Sequence, residues 1–325
     1  MASNEFDLIA RYFARQPVQR SDVALAIGDD CALLEVPAGC QLAVSTDSLV
    51  CGNHFLAGMD PALVAKKALA ANLSDLAAMG ATPAWVSLAI TLPEADESWL
   101  ARFCDGFFEM ADYYQVQLIG GDTTKGPLSL TLTVHGFVPQ GQALTRHGAS
   151  AGDLIYVTGN LGDSAAGLAV LLKQVTGTKP ELAEHLLNRH YQPQPRVLAG
   201  QALRGIASAA LDISDGLIAD LGHILNRSDV GAVIDVDRLP LSAELMSFCG
   251  GDQDAAGKLA LTSGEEYELC FTVPAHHRGA LDVALSHAGV KATCIGNIRA
   301  GDSVTLERNG LPLDWQLHGY DHFSG

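Results

Sequence analysis

The chain has 325 residues, of which 48% are hydrophobic and 18% charged, and its net charge is −17. That composition excludes a disordered chain and provides apolar mass for two cores. A surface this acidic repels nucleic acid and anionic membranes, so neither is expected as a partner, and an anionic substrate would need metal ions or local Lys and Arg to enter.

The opening segment, MASNEFDLIARYFARQ, lacks the basic-then-apolar order of a signal peptide. It reads as an amphipathic helix with Phe6, Ile9, Ala10 and Phe13 on one face. No apolar run reaches the roughly 18 residues of a membrane span. Seven cysteines, at 31, 40, 51, 104, 249, 270 and 294, form no CxxC pair. Such a scattered set is expected as reduced thiols in a cytoplasmic protein.

AIGDDCALLEV follows at 26–36, with Asp29 and Asp30 adjacent behind Gly28. Gly-Asp-Asp is ordinary turn chemistry, which is one reading of it. QLAVSTDSL (41–49) reads as a strand that turns polar at Ser45, Thr46 and Asp47. Asp60-Pro61 caps and opens a helix that Gly80 closes. A strand is expected over 83–93, a helix over 96–114, and a strand over 116–124 ending in a glycine turn. LSLTLTVHGFV (128–138) alternates, with Leu128, Leu130, Leu132 and Val134 on one face, as in an antiparallel or mixed sheet. The Gly- and Ala-rich stretch 139–153 marks the expected boundary between an N-terminal domain, 1–140, and a C-terminal domain, 141–325. The second half then gives a strand, glycine loop and helix from 153, and a strand, acidic turn and helix over 208–228. Further strands are expected at 231–236, 267–273 and 292–298. Both halves read as α/β.

Acids recur at the ends of apolar runs: GDD (28–30), STD (45–47), NLSDL (72–76), GGDTT (120–124) and DISDG (212–216). Each could be a cap or an Asx-turn. Asp75 fits that reading least, since it sits mid-helix among apolar residues, where a carboxylate needs a partner. Taken together the five segments outnumber the nearby Lys and Arg. Their Asp, Ser and Thr oxygens suit Mg²⁺, or Ca²⁺ and Mn²⁺. Several such ions imply a polyanion, of which a nucleoside triphosphate is the commonest. No P-loop motif occurs. VTGNLGDSAAG (157–167) lacks the G-x-G-x-x-G spacing and reads equally as tight helix–strand packing. Arg146 is either a solvated loop arginine or the cation for a phosphate tail.

IGDDCALL, STDSLVCGNHF, ALAANLSDLAAMGATP, LIGGDTTKGPLSLTLTVHG, LTRHGASAGDLIYVTGNLGDSAAGLAVL, LDISDGLIADLGHI, GEEYELCFTVP and HGYDHF carry a resemblance. In this order, and over almost the whole chain, they resemble the thiamine-monophosphate kinase family. Single pieces are shared with its relatives: aminoimidazole ribonucleotide synthetase, selenophosphate synthetase and a hydrogenase maturation factor. The resemblance implies a two-domain α/β (α+β) fold of the aminoimidazole ribonucleotide synthetase type. Its N-terminal domain would hold an acidic metal and ATP site and a mixed sheet that forms a barrel across a homodimer. Its C-terminal α/β domain would complete the nucleotide and substrate site. The implied reaction passes the γ-phosphoryl group of ATP to thiamine monophosphate, giving thiamine diphosphate, with several Mg²⁺ ions.

By motif, the implied metal ligands are Asp30, Ser45, Thr46, Asp47, Asp75, Asp122, Asp212 and Asp215. ATP would meet Gly121, Asp122, Arg146 and Ser214, and thiamine monophosphate would meet His54, Glu265 and Tyr320. Asp29 is expected to be structural. The acceptor is a phosphate monoester, already largely anionic at neutral pH, so no general base is expected. A carboxylate and an aromatic face suit the cationic thiazolium ring. From the residues alone, Glu265 reads as a loop acid, Tyr320 as a surface tyrosine, and His54 equally as a loop histidine. The chain departs from the family's Gly-Gly-Glu-Asp with Ser263-Gly264-Glu265-Glu266, and Tyr320 stands where Trp is often found. The alternatives are a selenophosphate synthetase-like enzyme, a non-catalytic divalent-metal-binding protein and, more remotely, a nicotinamide dehydrogenase. The first needs a reactive Cys or selenocysteine beside Lys near the N-terminal glycine loop, whereas Cys31 follows the acids.

Overall fold

The computed structural model describes residues 5–16, 19–317 and 319. The side chain of Phe6 and all of Tyr320 lie outside the described residues. The chain divides into two compact units, Met1–Leu76 with Ala81–Gly141, and Ala77–Gly80 with Gln142–Gly325.

In the first unit, α1 (Glu5–Leu8) runs straight into a π-helical turn, Ile9–Phe13, where one amphipathic helix was expected. Arg11 and Tyr12 of this turn donate to Glu97 at 2.6 and 3.0 Å, which ties it to a residue far along the chain. A two-stranded ribbon follows, β1 (Val23–Leu25) antiparallel to β2 (Leu33–Leu34), with Gly28, Asp29 and Asp30 in the loop between them.

The main sheet consists of β3 (Cys40–Val50), β4 (Thr82–Leu92), β5 (Gln117–Lys125) and β6 (Ser129–Pro139). Its order is β3-β6-β4-β5, antiparallel except for the β4–β5 pair, so the sheet is mixed. The alternation of β6 holds: Leu130, Leu132 and Val134 are fully buried.

Helix α2 (Pro61–Ala78) buries Val64, Ala65, Ala68, Leu69, Leu73 and Leu76. It ends in a Schellman turn at Gly80, with Ala81 N–H bonded to Leu76 O and Gly80 N–H to Ala77 O at 2.8 and 2.9 Å. Helix α3 (Glu97–Tyr113) starts at Asp96, whose carboxylate accepts from the amides of Ser98 and Trp99.

The second unit contains, in order, β7 (Leu154–Thr158), α4 (Asp163–Leu171), α5 (Pro180–Tyr191), α6 (Val197–Ala202), β8 (Ala209–Asp212) and α7 (Leu217–Ser228). It continues through β9 (Gly231–Asp235), α8 (Ala243–Phe248), α9 (Gln253–Thr262), β10 (Leu269–Val273), α10 (Arg278–Ala288), β11 (Ala292–Arg299), β12 (Val304–Arg308) and β13 (Leu311–Leu313). Seven strands form one sheet in the order β13-β12-β9-β11-β7-β10-β8, antiparallel apart from β9–β12. Ile155, Val157, Leu211, Leu221, Ile224, Ile234 and Ile295 form the centre of its core.

The glycines of VTGNLGDSAAG serve packing. A Cβ on Gly159 would lie 2.1 Å from the Glu268 carboxylate, one on Gly162 2.6 Å from Leu245, and one on Gly167 2.2 Å from the Leu186 carbonyl. Among the described residues no helix is long and apolar enough to cross a membrane. All seven cysteines are unpaired.

Candidate active site

In the first unit a cleft of about 580 Å³ lies between the β1–β2 loop and β5. It brings Asp29 and Asp30 together with Gly121 and Asp122, while Ile9, Phe13 and Leu118 contribute apolar wall. Asp29 Oδ1 accepts the Asp30 amide at 2.9 Å, a turn-shaping bond that leaves the roles of the two neighbours distinct. Gly120 and Gly121 lie inside β5, where a turn was expected. Here the parallel partner β4 passes so close that a Cβ on Gly121 would fall 1.8 Å from the Leu88 carbonyl oxygen. No Lys, Arg or His is among the described residues that line the cleft.

Strand β3 presents the Ser-Thr-Asp run. Ser45 Oγ donates to Asp75 Oδ2 on α2, and the Asp47 amide donates to Asn72 Oδ1 at 3.2 Å. Asp75 is thus the mid-helix carboxylate with a hydroxyl partner, and Asn72 on the same face is fully buried. Thr46 pairs with Thr133 at 2.9 Å and Ser48 with Thr131 at 2.7 Å, giving a row of hydroxyls across β3 and β6. His54 follows the strand in a tight turn where its Nδ1 accepts the Val50 amide at 3.0 Å. That bond places the ring hydrogen on Nε2.

In the second unit Arg146 precedes β7 in a segment tied to β8 by Ala210 N–H donating to Thr145 O at 2.9 Å. Asp212 ends β8, and the loop Ile213–Gly216 leads to α7. Glu265 packs on that loop, its amide donating to Ser214 O at 2.8 Å. Asp212, Ser214, Asp215 and Glu265 therefore gather around one end of this sheet, and Arg146 lies within electrostatic reach of Asp220 in α7.

The described residues include no cluster of three or more Asp, Glu, His or Cys side chains that would hold an ion alone. Mg²⁺ seldom uses such a cage, since it keeps waters and takes one or two carboxylates beside substrate phosphates.

Residues 28–138 match the AIR synthase related protein N-terminal domain, and residues 150–309 match the corresponding C-terminal domain. The thiamine-monophosphate kinase of Escherichia coli is 58% identical over 327 residues, covering 100% of this chain and 99% of that protein. The chain belongs to the thiamine-monophosphate kinase family. The crystal structure of the Stenotrophomonas maltophilia thiamine-monophosphate kinase superposes with a TM-score of 0.86 at 47% identity, covering 96% of this chain and 99% of that one. A structure described as AaThiL complexed with AMPPCP and TMP gives 0.78 at 32% identity, covering 98% and 97%.

Three residues of this thiamine-monophosphate kinase family member have partners that the sequence alone did not supply. Asp220, in the first turn of α7, accepts the Ser214 and Asp215 amides on Oδ2, both at 3.0 Å, and so shapes the acidic loop. Burial pushes its carboxyl up to about 6, against the pull of those amides. The sign in the sequence was an acid four residues after Gly216, placed to bond back to the loop. Lys67, only 1% exposed, donates to the His54 carbonyl at 3.0 Å, a contact without local signature. Glu266, one of the departures from the family pattern, is buried against α4.

Proposed function

We propose that the chain transfers the γ-phosphoryl group of ATP directly to the phosphate of thiamine monophosphate, releasing ADP and thiamine diphosphate, the last step in making that cofactor. The observation that carries this is the full-length relationship to a thiamine-monophosphate kinase at 58% identity. An oxygen of the acceptor phosphate attacks the γ-phosphorus as the bond to the β-phosphate bridging oxygen breaks. No residue has to remove a proton, because a phosphate monoester has a second pKa of about 6. What remains is positioning and charge.

Asp30 and Asp122 bring carboxylates to the lining of the cleft, where no described residue is cationic, a setting that suits a hard cation. Asp30, Ser45, Thr46, Asp47, Asp75 and Asp122 of the first unit, with Asp212 and Asp215 of the second, are the proposed ligands of Mg²⁺. When bound, Mg²⁺ supplies neutralisation of the phosphate oxygens. Gly121, Asp122, Arg146 and Ser214 are assigned to ATP, with Arg146 offering its fork of donors to a phosphate. His54, held with Nε2–H as donor, suits an oxygen of the acceptor phosphate. Glu265 suits the thiazolium charge, and Tyr320 is assigned to the same substrate from its motif alone.

A homodimer joined through β3 accounts for an open edge strand whose Leu42, Val44 and Val50 are 42%, 54% and 42% exposed. Unpaired cysteines support a reducing, cytoplasmic setting. The test is formation of thiamine diphosphate from thiamine monophosphate and Mg-ATP, with EDTA and free thiamine as controls. Mg-dependent product from the monophosphate alone is expected. Absence of product with ATP still bound would move the acceptor to another phosphate or acid.

A further inference from the structure

The segment Ser263–Glu268 is backbone under strain. Glu265 and Tyr267 both take left-handed conformations, with φ of 58° and 52°, although neither is glycine. Such a pair persists only where its surroundings over-determine it. One side is fixed by main chain. Glu265 N–H donates to Ser214 O at 2.8 Å, Tyr267 N–H to Ile213 O at 2.9 Å, and Ile213 N–H to Glu268 O at 2.8 Å.

The other side is fixed by two buried carboxylates, one on each side of Tyr267. Glu268, with a side chain 1% exposed, is gripped by Arg196 at 2.5 and 2.6 Å, by Arg189 at 3.2 Å and by Thr158 Oγ1 at 2.6 Å. Glu266, 3% exposed, points into the first turn of α4. Its Oε1 accepts from Gly162 N–H at 2.7 Å, Ser164 N–H at 3.3 Å and Ser263 Oγ at 2.5 Å. Ser263 Oγ in turn accepts the Ala165 amide at 3.1 Å. The two positions that depart from the family pattern, Ser263 and Glu266, thus bond to each other and share one helix end. Next to Glu266, Glu265 is left 27% exposed, its Oε2 3.7 Å from His190 Nδ1.

We infer that Glu266 is a positioning residue for substrate: it fastens the strained segment to the start of α4, through Ser263, and so fixes the direction in which Glu265 presents its carboxylate. This rests on the assignment of Glu265 to thiamine monophosphate. A buried acid is costly to keep, and here its oxygen answers the Gly162 and Ser164 amides and the Ser263 hydroxyl, donors that an apolar residue of similar size would leave without this acceptor. The longer Glu side chain and the hydroxyl of Ser263 together fill the reach to the helix amides.

The test compares Glu266→Ala, Glu266→Gln, Ser263→Ala and Glu265→Gln by steady-state kinetics and by amide hydrogen exchange over 263–268. Glu266→Ala is expected to raise KM for thiamine monophosphate by about tenfold or more while KM for ATP stays put, since a small misplacement of a binding group is enough. The Glu265 and Tyr267 amides should exchange faster in the same variant. Glu266→Gln keeps an oxygen acceptor and should restore most of both. Ser263→Ala, the milder change, should move both readouts in the same direction if Glu266→Ala does not fold. Unchanged exchange and unchanged KM in a folded variant would overturn the positioning role, as would an equal rise in both KM values. Faster exchange with unchanged KM, together with an inert Glu265→Gln, would overturn the assignment of Glu265 itself and with it the role in catalysis, leaving Glu266 as an anchor of the loop only.

Discussion

Asp75 carries the plainest chemistry at the scale of one residue. It lies on a helix whose neighbours Leu73 and Leu76 are buried, and it accepts a hydrogen bond from Ser45. Asp75→Asn keeps that acceptor and removes the charge. Turnover is expected to fall by about 10²–10³ with an unchanged circular dichroism spectrum, the scale of losing a group that stabilises charge in the transition state. Full activity in the folded variant would remove Asp75 from the metal site. Glu266 gives a second expectation. Burial pushes its carboxyl from 4.5 up to about 7, with Asp163 adding to the rise and Arg189, Ser263 and the Gly162 amide opposing it. The folded protein therefore holds this proton more tightly than the unfolded chain does. The resulting stability is fully present below about 4.5 and is lost as pH rises through about 7. Glu266→Gln does not titrate, so the difference in denaturation midpoint between it and the parent protein should change across that window. A constant difference would show that Glu266 does not titrate there. The acids themselves were legible one by one, because a carboxylate beside apolar residues stands out in sequence. Asp220 and Lys67 were not, because their partners, the Ser214 and Asp215 amides and the His54 carbonyl, are backbone groups fixed only by the fold.

At the scale of elements, β6 and β5 make a useful contrast. The alternation of Leu130, Leu132 and Val134 with Thr131 and Thr133 has one physical meaning, a strand with one buried face, and the strand is where it was expected. Gly120-Gly121 has two, a turn or a place where another backbone comes close, and only β4 decides between them. Gly121→Ala would put its methyl 1.8 Å from the Leu88 carbonyl oxygen, so β4 and β5 must part locally. A loss of about 1–3 kcal/mol is expected from such overpacking. Chemical denaturation measures it, and a neutral result would mean that the strands separate more easily than their pairing implies. The loop 157–167 had the same ambiguity. Its glycines make room for Glu268, Leu245 and the Leu186 carbonyl, which is a packing role.

For the whole molecule, the open edge of the first unit's sheet is the feature with the largest consequence. A strand running from Cys40 to Val50 with apolar side chains exposed invites a second copy. Sedimentation is expected to show a dimer, and Val44→Asp is expected to shift it toward monomer by placing a charge in the joint. A monomeric parent protein at working concentration would remove the dimer. The charge of −17 acts at this scale too. A surface of that charge repels anionic substrates and other polyanions alike.

The sequence by itself determined the two-part α/β organisation, the alternation of the central strand and the helix ends at Asp96 and Gly80. Each depends on local periodicity or on the chemistry of a single residue type, which reads without knowing what lies across the fold. Only the tertiary structure decided that the opening helix rewinds at Ile9, that Gly121 belongs to a strand, and that Ser263 and Glu266 bond to one another at the start of α4. Those outcomes depend on groups far apart in the chain. Gly162 and Glu266 are 104 residues apart, and no local pattern specifies how close they come.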